Sequence, residues 1–138
     1  MQIVLNGKPA ERASVVHGLE EFCRQHQIPK QAMNAADVAL EEHLTNVLNY
    51  GYEAGAPHRV VVDLKLDNGS LCVDVADDGK PYDPLARPQV DTSLPLEEKP
   101  IGGLGVHLMR QFMDELSYAR EAGKNVLRMR KQIEPGAG

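Results

Sequence analysis

The stretch from Arg59 to Ala76 leaves this chain the fewest choices. Arg59 to Leu66 and Leu71 to Ala76 alternate apolar and polar residues, and Asp67-Asn68-Gly69 joins them. Alternation of period two marks a half-buried strand, and Asn-Gly supplies the positive φ angles of a tight hairpin turn. The rest of the chain has to be arranged around that strand pair.

Before it, Met1 to Asn6 is a short apolar segment, expected as a strand ending at the Asn6-Gly7 turn signal. Val15, Val16, Leu19, Phe22 and Cys23 recur at helical spacing between Pro9 and His26. Ile28-Pro29 breaks that helix, because proline lacks an amide donor and restricts the residue before it. A second helix is predicted over 30–50, with Met33, Ala36, Leu40, Leu44, Val47 and Leu48 as its buried stripe and Gly51 at its end. Its other face aligns Glu42, Asn46 and Asn49.

After the hairpin, Lys80 to Ile101 holds five of the nine prolines and little periodicity, as in an ordered loop or lid. Helical spacing returns from Gly103 to Leu116 through Val106, Met109, Phe112 and Met113, expected as core. Ser117 to Arg120 and Asn125 to Arg130, parted by Gly123, predict a closing hairpin, and Gly136-Ala137-Gly138 a frayed end. Helices, hairpin, loop, helix, hairpin is the order of an α+β two-layer sandwich, with helices on one face of a mixed or mainly antiparallel sheet. It argues against a doubly wound fold, in which strands and helices alternate.

At 138 residues and 42% hydrophobic, residues 1–138 are expected to form a single domain with a sizeable core. A net charge of −5 and no basic stripe disfavour nucleic acid as a partner. Cys23 and Cys72 lack metal or disulfide spacing and read as thiols of a reducing compartment. No charged-then-apolar leader opens the chain, and no apolar run approaches the roughly 18 residues of a membrane helix. The expected location is the cytoplasm, without membrane attachment. His17, His26, His43, His58 and His107 are scattered without metal-site spacing.

Three short motifs carry the chemistry. Glu42-His43-Leu44-Thr45-Asn46 sets an acid and an amide one helical turn apart, suited to a proton acceptor and a metal ligand. Asp77-Asp78-Gly79-Lys80-Pro81 follows a strand and suits a base edge. Gly102-Gly103-Leu104-Gly105 opens a helix whose free amides and positive dipole end suit phosphate. Taken singly, these would be a solvated glutamate, a capping asparagine, a strand-end turn and a weak glycine pattern. In this order they read as a nucleotide site.

Glu42-x-x-x-Asn46, Asp77-x-Gly79-x-Pro81 and Gly103-x-Gly105 resemble the N, G1 and G2 boxes of the GHKL ATPases, a superfamily that includes gyrase, heat-shock chaperones, histidine kinases and mismatch-repair ATPases. Tyr50-Gly51-Tyr52, Tyr82-Asp83-Pro84 and Val106-His107-Leu108-Met109 around them are similar to the anti-sigma-factor serine-protein kinase branch. The resemblance spans nearly the whole chain and implies the Bergerat-type ATP-binding fold.

By that resemblance, Asn46 holds the Mg²⁺ that bridges the triphosphate of ATP, and Glu42 is the general base toward a partner's serine. Glu41 is then the surface residue. Asp77 accepts a hydrogen bond from the adenine amino group, and Gly79 lets the ring approach the backbone; Asp78 and Asp83 are weaker candidates. Asn49, Pro81, Gly102, Gly103, Leu104, Gly105 and Val106 complete the nucleotide contacts, under a lid over about 80–102. The implied partners are a STAS-type anti-anti-sigma factor, a sigma factor and a second copy in a homodimer.

The chain departs from the superfamily at three places. Pro81 stands for the second glycine of the G1 box, and Lys124-Asn125 replaces a Gly-Thr pair near the last strand, which leaves open a polar contact from Asn125 to the adenine-binding Asp77. No arginine directly precedes Gly102; Lys99 and Arg87 are the lid's nearby cations. That last departure keeps open a module that binds ATP and grips a partner without transferring phosphate. A histidine-kinase catalytic domain lacking its phosphoacceptor helix is the third reading, disfavoured by the short lid and the lack of room for a dimerisation helix pair.

Overall fold

The computed structural model describes residues 1–6, 11–52, 57–86 and 103–133. Gly7, Pro9, Arg87, Lys99, Gly102, the greater part of the expected lid, and Gly136-Ala137-Gly138 lie outside the described residues. The elements are β1 (Gln2–Leu5), α1 (Glu11–Gln25), α2 (Lys30–Tyr50), β2 (Val60–Asp67), β3 (Ser70–Asp77), a 3-10 turn at Pro84–Ala86, α3 (Gly103–Phe112), β4 (Glu115–Glu121) and β5 (Lys124–Gln132). Among the described residues no helix is long and apolar enough to cross a membrane.

The five strands lie in the order β1-β2-β3-β5-β4. All four pairings are antiparallel, so the mixed alternative is set aside. Both hairpins turn through two left-handed residues, Asn68 and Gly69 at φ 52° and 77°, Ala122 and Gly123 at φ 51° and 77°. These angles match the right-handed twist of the flanking strands.

The inward columns are Val60, Val62 and Leu64 on β2, Leu71, Val73 and Val75 on β3, and Leu127 and Met129 on β5, all at most 1% exposed. They form one buried cluster with Val15, Leu19 and Phe22 of α1, Leu40, Leu44 and Val47 of α2, and Val106 and Met109 of α3. The helices thus cover one face of the sheet. The open face carries cross-strand ion pairs such as Lys65 Nζ to Asp74 Oδ2 at 3.3 Å and Arg130 Nη1 to Asp67 Oδ2 at 3.1 Å.

Helix α1 stops where Gln27 turns left-handed at φ 54° and the Ile28 amide reaches back to the Cys23 carbonyl at 2.9 Å, a closing bond characteristic of helix ends. α2 has the expected bounds, but its buried face differs from the apolar stripe. Leu48 is 39% exposed, while Ala32, Ala35 and Ala39 are buried along with two polar residues, His43 and Asn46. Leu48 lies about 100° round the helix from Val47, which turns it off the packed face. α3 ends at Phe112, four residues before the expected end, because the Asp114 amide bonds to the Arg130 carbonyl at 2.8 Å and draws the chain into β4. Phe112, expected in the core, is 39% exposed at the margin of the face buried by Val106, Met109 and Met113.

Candidate functional site

Asp77 closes the inward column of β3. The period-two alternation that buries Leu71, Val73 and Val75 carries Asp77 to the same face, 3% exposed. The same rule on β5 buries Asn125, and the register sets it directly opposite Asp77. Asn125 Nδ2 donates to Asp77 Oδ1 at 2.9 Å, and the Gly79 amide donates to the same oxygen at 3.0 Å. Among the described residues both bonds fall on Oδ1 and none on Oδ2. Burial raises the Asp77 carboxyl above its ordinary range, opposed by the Asn125 and Gly79 hydrogen bonds and by the Arg120 charge.

The strap from Asp78 to Tyr82 is tied on three sides. The Lys80 amide donates to the Gly51 carbonyl at 3.0 Å, joining the strap to the end of α2. Arg120 Nη1 donates to the Gly79 carbonyl at 2.9 Å and Asn125 Nδ2 to the Lys80 carbonyl at 2.8 Å. Gly79 is required here by protein packing: a Cβ would sit 2.6 Å from the Gly51 carbonyl oxygen. Asp78 instead accepts from the Tyr52 hydroxyl and from the Arg59 amide at 3.0 Å. Those bonds, Tyr52 first, hold its carboxyl below the usual range. Asp83 Oδ1 accepts from the Leu85 amide at 2.8 Å and caps the 3-10 turn.

On α2, Asn46 is 4% exposed and its Nδ2 has no hydrogen-bond partner among the described residues. Its neighbour His43 is 3% exposed, with both ring nitrogens unpartnered among the described residues, and burial lowers its pKa to about 4. Glu42, one turn before Asn46, is half-buried, and no hydrogen bond or ion pair reaches its carboxylate from the described residues. Glu41 faces outward and pairs with Arg12, whose Nη2 also donates to Thr45 Oγ1 at 3.0 Å. Asn49 and Pro81 are exposed.

Gly103, Leu104 and Gly105 form the first turn of α3 rather than a loop before it, which leaves their amides without helical partners. The Val106 side chain belongs to the core with Leu44 and Val47 of α2, so any contact it makes with a ligand is through its backbone. That shared cluster fixes the start of α3 against the half of α2 that bears Asn46.

Of the predicted residues, the structure joins Asp77 and Gly79 to the end of α2 and sets Glu42 and Asn46 on its C-terminal half. Sequence reasoning missed Gly51, Tyr118 and Arg120 as partners and left open the contact from Asn125 to Asp77, which the structure shows. Pairing the start of the last strand with the end of β3 would have settled it. A cleft of about 600 Å³ on the open sheet face, lined by Lys65, Asp74, Arg128 and Arg130 among others, lies away from all of these residues. Its charges are already paired with one another.

Residues 5–131 match the profile of the histidine kinase-like ATPase domain. The chain is 30% identical over 95 residues to the serine/threonine-protein kinase BtrW of Bordetella bronchiseptica, covering 69% of this chain and 67% of that protein. It is 26% identical over 115 residues to the serine-protein kinase RsbW of Listeria monocytogenes, covering 78% and 73%. Among solved structures it resembles the RsbU and RsbW domains of a Mycobacterium tuberculosis protein, with a TM-score of 0.65 and 14% identity, over 96% of this chain and 31% of that one. It also resembles the histidine kinase domain of the Erythrobacter litoralis EL346 blue-light-activated histidine kinase, with a TM-score of 0.54 and 17% identity, over 90% of this chain and 64% of that one. At these identities the two structural likenesses are of fold.

Proposed function

The chain belongs to the histidine kinase-like ATPase domain family, among relatives named serine-protein kinases, and from that footing we propose that it is an ATP-dependent serine-protein kinase and anti-sigma factor. Its substrate would be a serine of a STAS-type anti-anti-sigma antagonist, whose phosphorylation leaves the kinase free to sequester a sigma factor. Residues 1–138 would act as one unit, with a lid over about 80–102, as a cytoplasmic homodimer.

One observation carries the reading: Asn46 and Asp77 are buried, and among the described residues Asn46 Nδ2 has no hydrogen-bond partner while Asp77 takes its hydrogen bonds on Oδ1 alone. Burying such groups unsatisfied costs free energy that a ligand recovers. Asp77 Oδ2 would accept from the adenine amino group. The amide oxygen of Asn46 would be a ligand type suited to Mg²⁺, which keeps most of its waters and takes few protein ligands. No three His, Cys, Asp or Glu side chains converge as metal ligands among the described residues; Asn46 would serve beside phosphate oxygens and water. Bound Mg²⁺ would neutralise charge on the triphosphate during transfer. The free amides at the start of α3 would receive phosphate oxygens.

Glu42 would act as base. The incoming serine oxygen forms a bond to the γ-phosphorus, the bond from that phosphorus to the β,γ-bridging oxygen breaks, ADP leaves, and Glu42 takes the hydroxyl proton. Incubation with γ-labelled Mg·ATP and the purified STAS antagonist tests this. Label on a partner serine, lost in Glu42→Gln, supports the kinase. Nucleotide binding without any label on the partner supports instead the ATP-holding module, which the lack of an arginine before Gly102 favours.

A further inference from the structure

Asn125 makes four hydrogen bonds. Its Oδ1 accepts from the Tyr82 amide at 3.2 Å and from the Tyr118 hydroxyl at 2.5 Å. Its Nδ2 donates to the Lys80 carbonyl at 2.8 Å and to Asp77 Oδ1 at 2.9 Å. A backbone N–H can only donate and a backbone carbonyl can only accept. Tyr82 and Lys80 therefore fix which end of the Asn125 amide is oxygen, and the side chain cannot be turned over without losing both bonds. With Oδ1 already facing one donor and unable to give a proton, the Tyr118 hydroxyl has to be a donor there too.

The polarity passes on to Asp77. Both N–H groups of Asn125 are spent, one on Lys80 and one on Asp77 Oδ1. The Gly79 amide fills the same carboxylate oxygen from the other side at 3.0 Å. The carboxylate is thereby pinned by Oδ1, and both Asn125 N–H groups and the Gly79 amide are committed to the protein. Oδ2 remains, and an ionised carboxylate oxygen only accepts. A base placed there must bring a donor. The 6-amino group of adenine does so, whereas the 6-keto oxygen of guanine or hypoxanthine would set lone pairs against lone pairs.

We infer that Asn125, locked by Tyr82, Lys80 and Tyr118, is a positioning residue that commits one oxygen of Asp77 to the protein and leaves the other as an acceptor-only reader of a 6-amino purine. The inference rests on the ATP reading above and extends it, assigning base discrimination to the last hairpin rather than to Asp77 alone. Asn125 does not itself touch the base. It sets the rotamer of the carboxylate that does, which in its ionised form accepts at Oδ2.

The test compares ATP with purine riboside 5′-triphosphate, which has hydrogen in place of the 6-amino group, by calorimetric titration of the full chain with Mg²⁺ present. The wild type should bind ATP more tightly by about tenfold or more, the worth of a hydrogen bond to a buried charged acceptor. In Asn125→Ala, and to a lesser degree in Tyr118→Phe, that ratio should fall toward one, while affinity for the analogue changes less than about threefold, since the analogue never makes the bond. Equal weakening of both ligands, with the ratio kept, would mean a merely structural Asn125 and would overturn the inference while leaving the ATP site standing. A ratio near one in the wild type would remove the adenine reading itself and the inference with it. Should Asn125→Ala fail to fold, Tyr118→Phe, which deletes one hydroxyl, decides by the same ratio.

Discussion

Loss of water moves Asp77 and His43 away from charge in opposite directions. Asp77 is raised by burial, so the folded state holds its proton more tightly than the unfolded chain does. The resulting cost to folding is absent below the unfolded carboxylate value of about 3.9 and grows as pH rises through the folded value. Asp77→Asn keeps an oxygen that can accept from Gly79 and Asn125 and removes that cost. Thermal melting of the apo protein should therefore find the variant as stable as the wild type or more so at neutral pH, with its advantage shrinking on acidification. A polar residue that destabilises the empty fold is what a ligand-binding acid looks like. His43 is lowered to about 4, so the unfolded chain binds its proton first. Stability from this residue is present above pH 6.5 and lost as pH falls toward the folded value, by up to about 1.4 kcal/mol per pH unit. His43→Leu removes two unpartnered ring nitrogens. Denaturant midpoints should show it within about 1 kcal/mol of the wild type at pH 7 and less steeply destabilised from pH 6.5 to 4.

The two hairpins turn through the same backbone angles with different residues. Asn68-Gly69 suits them, whereas Ala122 at φ 51° holds a left-handed conformation that a Cβ disfavours. Ala122→Asn should raise the unfolding free energy by roughly 0.5–1 kcal/mol, read from denaturant titration with an unchanged slope. Turns of this kind were legible because their signal is local: Asn68-Gly69 and Gly123 placed both hairpins, and Pro29 and Gly51 bracketed α2. What local pattern cannot carry is which strand lies beside which. Asn125 opposite Asp77 is a matter of register between β3 and β5, 48 residues apart in sequence, so the contact between them could be raised but not settled, although Asp77 itself stood out as a motif. Burial of Asn46 in place of Leu48 was hidden for a related reason. Hydropathy assigns polar residues to the outside, and the packing of α2 against sheet and α3 overrode it.

Across the molecule, the candidate site is assembled where the layers end together. The helical layer brings the C-terminal half of α2 and the first turn of α3, joined through Leu44, Val47 and Val106. The sheet brings the last inward residue of β3 and the first of β5, with the strap bonded to both layers through Gly51 and Asn125. A split between binding and chemistry follows, because Asp77 sits on the sheet side and Glu42 on the helix side. Calorimetric titration of Mg·ATP into the wild type, Asp77→Asn and Glu42→Ala reads that split. We predict binding by the wild type, a loss of about tenfold or more in Asp77→Asn, and affinity within about twofold of the wild type in Glu42→Ala. No heat of binding in the wild type, or an equal loss in the two variants, would contradict it.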